Sequence, residues 1–316
     1  PVVVGSAIES LSQPGDVVLD PYMGGGTTIV EAIARGRNAI GCDLNSLAVF
    51  IAKAKTTPLA DADKRLVRYW ANEIIANLSY HTVTEDIAEL ICPYRTKNLH
   101  LSRARPVKKL IAQAILALKD FQSECAQDFA RCVLLNVAQW ALNNRKVAPS
   151  LSQVRGKVQV ATEQMLGGLD ALSKIIVERG AQIFTPLLIH GTAANLPNIE
   201  PFAGGRKANL VVTSPPYPGI HILYHRWQVD GRKETPAPYW IANRFDGKGS
   251  SFYNFADRKE EAQDDYFDES LYTLRSVRSV LADGGLMVQM IAFSKPRSQL
   301  RRYLRNMTLA GFEEVR

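Results

Sequence analysis

The sequence has few cysteines, no long apolar run and no amino-terminal targeting pattern. Its cysteines lack the C-x-x-C spacing of metal and redox sites, so we expect reduced, buried thiols at Cys42, Cys92, Cys125 and Cys132. No apolar stretch reaches the roughly 18 residues of a membrane span. Residues 1–5 lack the basic region and apolar core of a signal peptide. These absences predict a cytoplasmic protein without a membrane partner.

Charged residues are also scarce, at 22% of the chain against 46% hydrophobic residues, which predicts a substantial core and two domains. The net charge of +7 favours a polyanionic partner such as DNA, although a surplus of this size also occurs in proteins that bind no nucleic acid. The chain begins with Pro1 instead of methionine and ends where a strand begins, so we expect missing pieces at both ends.

A glycine-rich turn lies between a strand and a helix near the start of the chain. Residues 16–19 read as an apolar strand, residues 20–28 as the turn and residues 29–35 as a helix. The turn has no lysine, so it is not a P-loop and triphosphate binding is not expected. Its glycines would let a ligand approach the backbone, and the helix amides of Thr27 and Thr28 would face the ligand's negative end.

A carboxylate follows the next predicted strand. Residues 38–42 form that strand, and Asp43 ends it about 20 residues beyond the glycine turn, where an acid typically takes the ribose hydroxyls of an adenosine-containing cofactor. Either Asn45 or Ser46 would then cap a helix.

A second motif follows another apolar strand, at residues 209–212. Its two prolines fix the backbone, so Ser214 and Tyr217 are held in place. The serine oxygen can accept hydrogen bonds from an amino group, and the tyrosine face can stack on a heteroaromatic ring. An exocyclic amine on a nucleobase fits both. A docking peptide with this sequence would occupy a disordered tract instead of following a buried strand.

Together the two motifs resemble those of DNA methyltransferases that modify exocyclic amino groups. The turn is similar to their D-P-F-x-G-S-G-T-T motif, with Tyr22 in place of phenylalanine and Gly25 in place of serine, and residues 213–217 match their T-S-P-P-Y motif. The resemblance covers residues 1–60 and 184–316. It implies an α/β fold with a doubly wound, mostly parallel sheet and S-adenosyl-L-methionine as cofactor. A glycine-rich turn alone would also suit a dinucleotide.

The resemblance also implies roles for individual residues. The turn would hold the methionine end of the cofactor, Asp43 the ribose, and Thr192 the adenine ring at a position where relatives often have an acid. The implied cofactor residues are Asp20, Pro21, Tyr22, Gly24, Gly25, Gly26, Thr27, Thr28, Asp43 and Thr192. The implied catalytic residues, which bind the target base, are Ser214, Pro215, Pro216 and Tyr217.

The residues favour direct methyl transfer without a metal. Methylation at carbon 5 of cytosine requires a cysteine nucleophile, and Ser214 stands at that position instead. Serine in this motif is seen mostly with N4 of cytosine, while N6 of adenine is the alternative. An RNA amino-methyltransferase and a noncatalytic subunit of a modification or defence complex also share the fold. The target base would leave the duplex to reach Tyr217.

Residues 61–183 read as a helical insertion between the two parts of the catalytic domain. Apolar spacing predicts helices over residues 110–118 and 130–142, with a break at residues 147–150. A further helix and strand are expected at residues 271–281 and 286–291.

Several segments are candidates for contact with DNA or with protein partners. One basic stretch contains Arg103, Arg105, Lys108 and Lys109, which we predict to contact phosphates, and another runs from Lys295 to Arg305. Solvated helix faces are the alternative for both stretches. Residues 221–228 mix aromatics with cations beside the catalytic motif, which favours stacking and phosphate contact equally with packing of Ile222, Leu223 and Trp227 onto the sheet. Residues 230–260 are predicted to form a mobile loop facing DNA.

Overall fold

The computed structural model describes residues 1–81, 84–91, 96–101, 104–143, 145, 147–180, 185–218, 227–229, 233–245 and 263–315. These residues form two compact units. The described parts of residues 1–56, 174–222 and 246–316 form one, called the sheet unit, and those of residues 57–173 and 223–245 form the other, called the helical unit. No helix within the described ranges is both long enough and apolar enough to span a membrane.

The secondary structure alternates between strands and helices at both ends of the chain. The strands of the described ranges are β1 (Val17–Asp20), β2 (Asn38–Asp43), β3 (Leu187–His190), β4 (Ala208–Thr213), β5 (Trp227–Val229), β6 (Lys233–Thr235) and β7 (Leu281–Gln289). The helices are α1 (Val2–Leu11), α2 (Thr27–Ala34), α3 (Ser46–Thr56), α4 (Asp61–Tyr69), α5 (Ile75–Asn77), α6 (Glu85–Leu90), α7 (Arg105–Leu116), α8 (Glu124–Leu142), α9 (Leu151–Glu178), α10 (Ala237–Ala242), α11 (Gln263–Val280) and α12 (Pro296–Leu309). A π-helical turn, Trp70–Ile74, lies between α4 and α5.

The sheet unit contains a five-stranded sheet in the order β3-β2-β1-β4-β7, and every neighbouring pair is parallel. This arrangement confirms the predicted α/β fold with a mostly parallel sheet. The strands β1 and β4 consist almost wholly of buried residues, as expected when both faces of a parallel sheet are covered. Strand order reverses between β1 and β4, and ligands bind at the carboxyl ends of strands beside such a reversal.

The strand β7 begins earlier than predicted and contains an irregularity. It pairs with β4 at Leu281 and again from Leu286, and the register shifts between these points. Gly284 has a φ of 72° within the shift, a left-handed value that favours glycine. The bulge therefore lies inside β7, which begins at Leu281, whereas the sequence predicted a strand only from residue 286.

The helical unit contains the helices predicted for the insertion. Helix α8 covers residues 130–142, whereas α7 covers residues 110–116 and is followed by a 3₁₀ turn, Ala117–Asp120. The predicted break at residues 147–150 lies between α8 and α9. The antiparallel hairpin β5–β6 also belongs to this unit, although the sequence analysis placed its residues in the catalytic domain. Side-chain hydrogen bonds attach the hairpin: Gln228 N donates to Asn143 Oδ1 at 3.0 Å, and Asn98 Nδ2 donates to the Glu234 carbonyl at 2.7 Å.

Candidate functional site

The two sequence motifs meet at the carboxyl ends of β1 and β4. Thr213 Oγ1 donates a hydrogen bond to Asp20 Oδ1 at 2.6 Å, and Thr28 Oγ1 donates to the Val212 carbonyl at 3.2 Å. Asp20 is 4% exposed. Burial raises the pKa of its carboxyl, while the hydrogen bonds from Thr213 Oγ1 and Tyr22 N act in the opposite direction. A direct bond therefore joins positions 193 residues apart in the sequence.

Two glycines of the turn are required by the backbone. Gly24 has a φ of 49° and Gly26 a φ of 77°, both in the left-handed region. A Cβ on Gly26 would also lie 2.9 Å from the Cβ of Ala52 in α3, so the turn and α3 pack too closely for a side chain there. A Cβ on Gly25 would meet its nearest neighbour, Lys55 Nζ, at 3.5 Å, an ordinary contact. The serine that relatives carry at the position of Gly25 is therefore compatible with this turn.

The Asp43 carboxylate links the end of β2 to the glycine turn. Its Oδ2 accepts from Gly24 N at 2.9 Å, and its Oδ1 accepts from Asn45 N at 2.8 Å. Burial raises the pKa of Asp43 to about 6, although these hydrogen bonds lower it, and the nearby Asp20 raises it further. Each carboxylate oxygen can accept a further bond, so Asp43 has capacity left for a ligand.

The structure resolves the choice between Asn45 and Ser46 as the cap of α3. Asn45 Oδ1 accepts from Leu47 N at 2.9 Å, and the Asn45 carbonyl accepts from Ala48 N at 2.9 Å. Asn45 is therefore the capping residue.

Lys55 is a candidate that the sequence analysis missed. Its Nζ donates to the Gly25 carbonyl at 2.7 Å, which places a cation at the glycine turn. The residue lies at the end of α3, about 30 positions away along the chain, and only the packing of α3 against the turn brings it there. No local pattern distinguishes it from a solvated helix lysine.

The remaining residues of the turn pack into the sheet unit. Tyr22 lies against the apolar core beside the sheet, and burial raises the pKa of its hydroxyl, which forms a hydrogen bond with the Thr273 side chain. Tyrosine in place of phenylalanine is tolerated because this added hydroxyl has a partner. Pro21 is buried beside it. Thr27 begins α2, and Gly26, at the cap position, provides no side-chain hydrogen bond to the helix amides.

Thr192 lies just beyond the carboxyl end of β3. Its Oγ1 accepts from Ala194 N at 3.2 Å and caps a 3₁₀ turn, Ala193–Asn198. Gly191 N donates to the Asp43 carbonyl at 3.0 Å, so this turn begins beside the end of β2. The carboxyl ends of β1, β2 and β3 thus carry all the predicted cofactor residues.

The catalytic motif leaves β4 as a partly exposed loop. Ser214, Pro216 and Tyr217 are half-buried, whereas Pro215 is buried. Among the residues that the structure describes, neither the Ser214 hydroxyl nor the Tyr217 hydroxyl has a hydrogen-bond partner.

The remaining predictions concern the cysteines, a metal site and the segments expected to contact DNA. Within the described ranges Cys42, Cys125 and Cys132 form no disulfide; Cys42 and Cys132 are buried and Cys125 is half-buried. The described ranges contain no group of three or more histidine, cysteine or acidic residues that could hold a metal ion. Several predictions lie outside the described residues, namely those for Cys92, Arg103, residues 221–226, residues 230–232 and residues 246–260.

Residues 3–54 match the family model described as DNA methylase. The Type II methyltransferase M.MvaI of Kocuria varians is 50% identical over 40 residues, which cover 13% of this chain and 9% of that protein. The Type II methyltransferase M.MjaII of Methanocaldococcus jannaschii is 30% identical over 99 residues, covering 30% of this chain and 19% of the relative. The Type II methyltransferase M1.MboII of Moraxella bovis is 54% identical over 39 residues, or 12% of this chain and 15% of the relative.

These matches confirm the predicted resemblance to the DNA amino-methyltransferases. The chain spans less than a fifth of the length of each of these relatives. No solved structure gives a significant match.

Proposed function

We propose that the sheet unit is the catalytic domain of an S-adenosyl-L-methionine-dependent DNA methyltransferase that modifies an exocyclic amino group. The hydrogen bond from Thr213 to Asp20 carries this proposal, because it joins the cofactor motif and the catalytic motif at the point where the strand order reverses. The glycine-rich turn alone would also suit a dinucleotide-binding protein. Direct contact between the two motifs is what methyl transfer between two bound molecules requires.

The residues present fit the cofactor. The uncapped amides at the start of α2 and the Lys55 ammonium provide positive charge for the methionine carboxylate. Asp43 has oxygen lone pairs left for the ribose hydroxyls, and Thr192, at the end of β3, is proposed to lie against the adenine ring. When bound, this cofactor supplies a methyl group activated by its sulfonium.

The catalytic loop would orient the target amine. The Ser214 oxygen accepts a hydrogen bond from the amino group, which draws the nitrogen lone pair out of conjugation with the ring, and Tyr217 stacks on the extruded base. The bound cofactor would supply the methyl group, so that a nitrogen–carbon bond would replace its sulfur–carbon bond, and the amino nitrogen would lose one proton to solvent. Positioning is the main contribution of the protein to the rate.

We propose N4 of cytosine as the methylated atom. Serine at the first position of the motif supports this choice by similarity to relatives, and an uncharged hydroxyl is chemically able to serve adenine as well. N6 of adenine is therefore the second candidate.

Methyl transfer from labelled S-adenosyl-L-methionine to unmethylated duplex DNA tests the function, with RNA as the competing substrate. Nuclease digestion and mass spectrometry of the nucleosides identify the product, which we expect to be N4-methyldeoxycytidine. Ser214→Ala and Tyr217→Ala should each lower the rate about 100-fold, since misplacing a reactant has effects of this size. Tyr272→Ala, which removes an exposed tyrosine of α11, is the matched control.

Each contrary result has a distinct meaning. N6-methyldeoxyadenosine as the only product would contradict the base assignment alone. Transfer to RNA but not to DNA would show that the substrate is RNA. Binding of the cofactor without transfer to either nucleic acid would support a noncatalytic subunit. Wild-type rates in both Ser214→Ala and Tyr217→Ala would show that residues 214–217 do not form the catalytic site.

A further inference from the structure

The catalytic loop has almost no backbone donors with which to hold itself in place. Prolines occupy positions 215, 216 and 218, so that Ser214 and Tyr217 carry the only N–H groups between residues 214 and 218. Such a segment cannot be fixed by a ladder of its own backbone hydrogen bonds. Its carbonyl groups can still accept bonds from side chains of neighbouring elements.

Two hydroxyl groups provide such bonds, one on each side of Tyr217. Tyr266 in α11 donates its hydroxyl to the Pro216 carbonyl at 2.7 Å. Ser294, which lies between β7 and α12, donates its Oγ to the Pro218 carbonyl at 3.1 Å. The carbonyl groups of the two residues that flank Tyr217, Pro216 and Pro218, are thus both bonded to side chains of the sheet unit.

Both donors are themselves fixed. Tyr266 is 3% exposed and packs edge to face on Phe267, with ring centroids 5.1 Å apart. Burial raises the pKa of its hydroxyl, so it stays protonated and remains a donor across the physiological range. Gln299 Nε2 donates to Ser294 Oγ at 3.3 Å, which leaves the Ser294 hydroxyl proton for the Pro218 carbonyl. Gln299 is 1% exposed, and its Oε1 accepts from Lys295 N at 2.7 Å.

We propose that Tyr266 and Ser294 are positioning residues that hold Tyr217 in the orientation needed for methyl transfer. They touch neither substrate nor cofactor and act only through the carbonyls of Pro216 and Pro218. The proposal rests on the proposed function of the loop. It assigns a role to two positions that lie outside both sequence motifs.

The test uses the change from tyrosine to phenylalanine, which removes one hydroxyl and little else. Tyr266→Phe should lower kcat for DNA methylation about tenfold and leave the dissociation constant of S-adenosyl-L-methionine unchanged in calorimetry. Tyr303→Phe is the matched control, because Tyr303 is equally buried in the same cluster and donates its hydroxyl to Gln289 Oε1 at 2.7 Å. The control should keep kcat within about twofold of the wild type.

Ser294→Ala gives a second measurement that does not depend on the core, since Ser294 is exposed. We expect it to lower kcat as well, and the double variant Tyr266→Phe/Ser294→Ala should show an effect that differs from the sum of the two single effects, because both act on the same short loop. Equal loss of kcat in Tyr266→Phe and Tyr303→Phe would indicate a general packing effect and overturn the proposal.

Hydrogen exchange separates this proposal from the proposed function. The Tyr217 amide should exchange faster in Tyr266→Phe than in the wild type or in Tyr303→Phe, and this measurement requires no activity. If the wild type transfers no methyl group but the amide responds, the proposed function fails and the fixing of the loop stands. Unchanged exchange together with unchanged kcat would refute the positioning role.

Discussion

Asp43 combines a structural role with a proposed role in binding, and its pKa links the two. Burial raises that pKa to about 6 from the ordinary 3.8. Ribose hydroxyls donate to the ionised carboxylate, so the affinity for cofactor should be complete above about pH 7 and should fall as pH drops through about 6. Calorimetry of S-adenosylhomocysteine binding between pH 5 and pH 8 measures this dependence.

The effect of Asp43 on folding stability has the opposite pH dependence to its predicted effect on cofactor affinity, so acid unfolding through Asp43 cannot explain a loss of affinity at low pH. Because its pKa is higher in the folded protein, the folded state binds more protons between about pH 4 and pH 6, and the contribution of Asp43 to stability decreases as pH rises through this window. Asp43→Asn should bind more weakly than the wild type and with little pH dependence. A pH dependence equal to that of the wild type in this variant would assign the titration to another group.

At the scale of elements, α12 presents a stripe of arginines that suits a phosphate backbone. Arg297, Arg301 and Arg305 follow one another at intervals of four, so they share one exposed face of the helix. None of the three forms an ion pair with any residue that the structure describes, whereas Arg302 pairs with Asp264 at 2.7 Å. The helix contains no acidic residue and begins two positions after Ser294, which contacts the catalytic loop.

Neutralising the three arginines together should weaken DNA binding and flatten its salt dependence. Each lost phosphate contact changes the slope of log K against log salt by about 0.9, so the triple change to glutamine should reduce the slope by up to about 2.7. Fluorescence anisotropy across a salt series provides the measurement. Arg206, Lys207 and Arg275, changed in the same way, remove the same charge from exposed positions elsewhere in the sheet unit and serve as the control. Equal slopes in both triple variants would mean that net charge alone matters.

The basic stretch of the helical unit is a weaker candidate in the structure than in the sequence. Lys108 is half-buried, and burial lowers the pKa of its ammonium group. Lys109 Nζ lies 3.4 Å from the Tyr80 carbonyl, within reach of a hydrogen bond. Arg105 remains exposed, and Arg103 lies outside the described residues. The predicted contact between this stretch and phosphates stays a prediction.

The sequence allowed the strands and turns of the sheet unit to be predicted because each has a local signal. Apolar runs indicated β1, β2 and β4, and the glycines indicated the turn before α2. Side-chain contacts between distant elements have no such signal. The positions of Lys55 at the glycine turn and of Tyr266 at the Pro216 carbonyl depend on packing across 30 and 50 residues of sequence. Neither position differs in type or spacing from an ordinary helix residue, so only the folded arrangement identifies them.

At the scale of the whole molecule, all the proposed cofactor and catalytic residues belong to the sheet unit. Cofactor binding should therefore protect amides of this unit selectively. A ligand that binds only the folded state stabilises it by about 2.7 kcal/mol at 100 times its dissociation constant. We expect this stabilisation to slow the exchange of amide hydrogens in residues 17–28, 38–56 and 208–218.

Hydrogen exchange with and without S-adenosylhomocysteine tests this expectation along the entire chain. The amides of α7 and α8, in the helical unit, should exchange at the same rate in both conditions, because none of the proposed contacts involves them. Asp43→Asn at the same ligand concentration is the control, since weaker binding should reduce the protection at residues 17–28 in proportion to the lost occupancy. Protection centred on α7 and α8 would contradict the proposed cofactor site, because it would show that the ligand binds the helical unit.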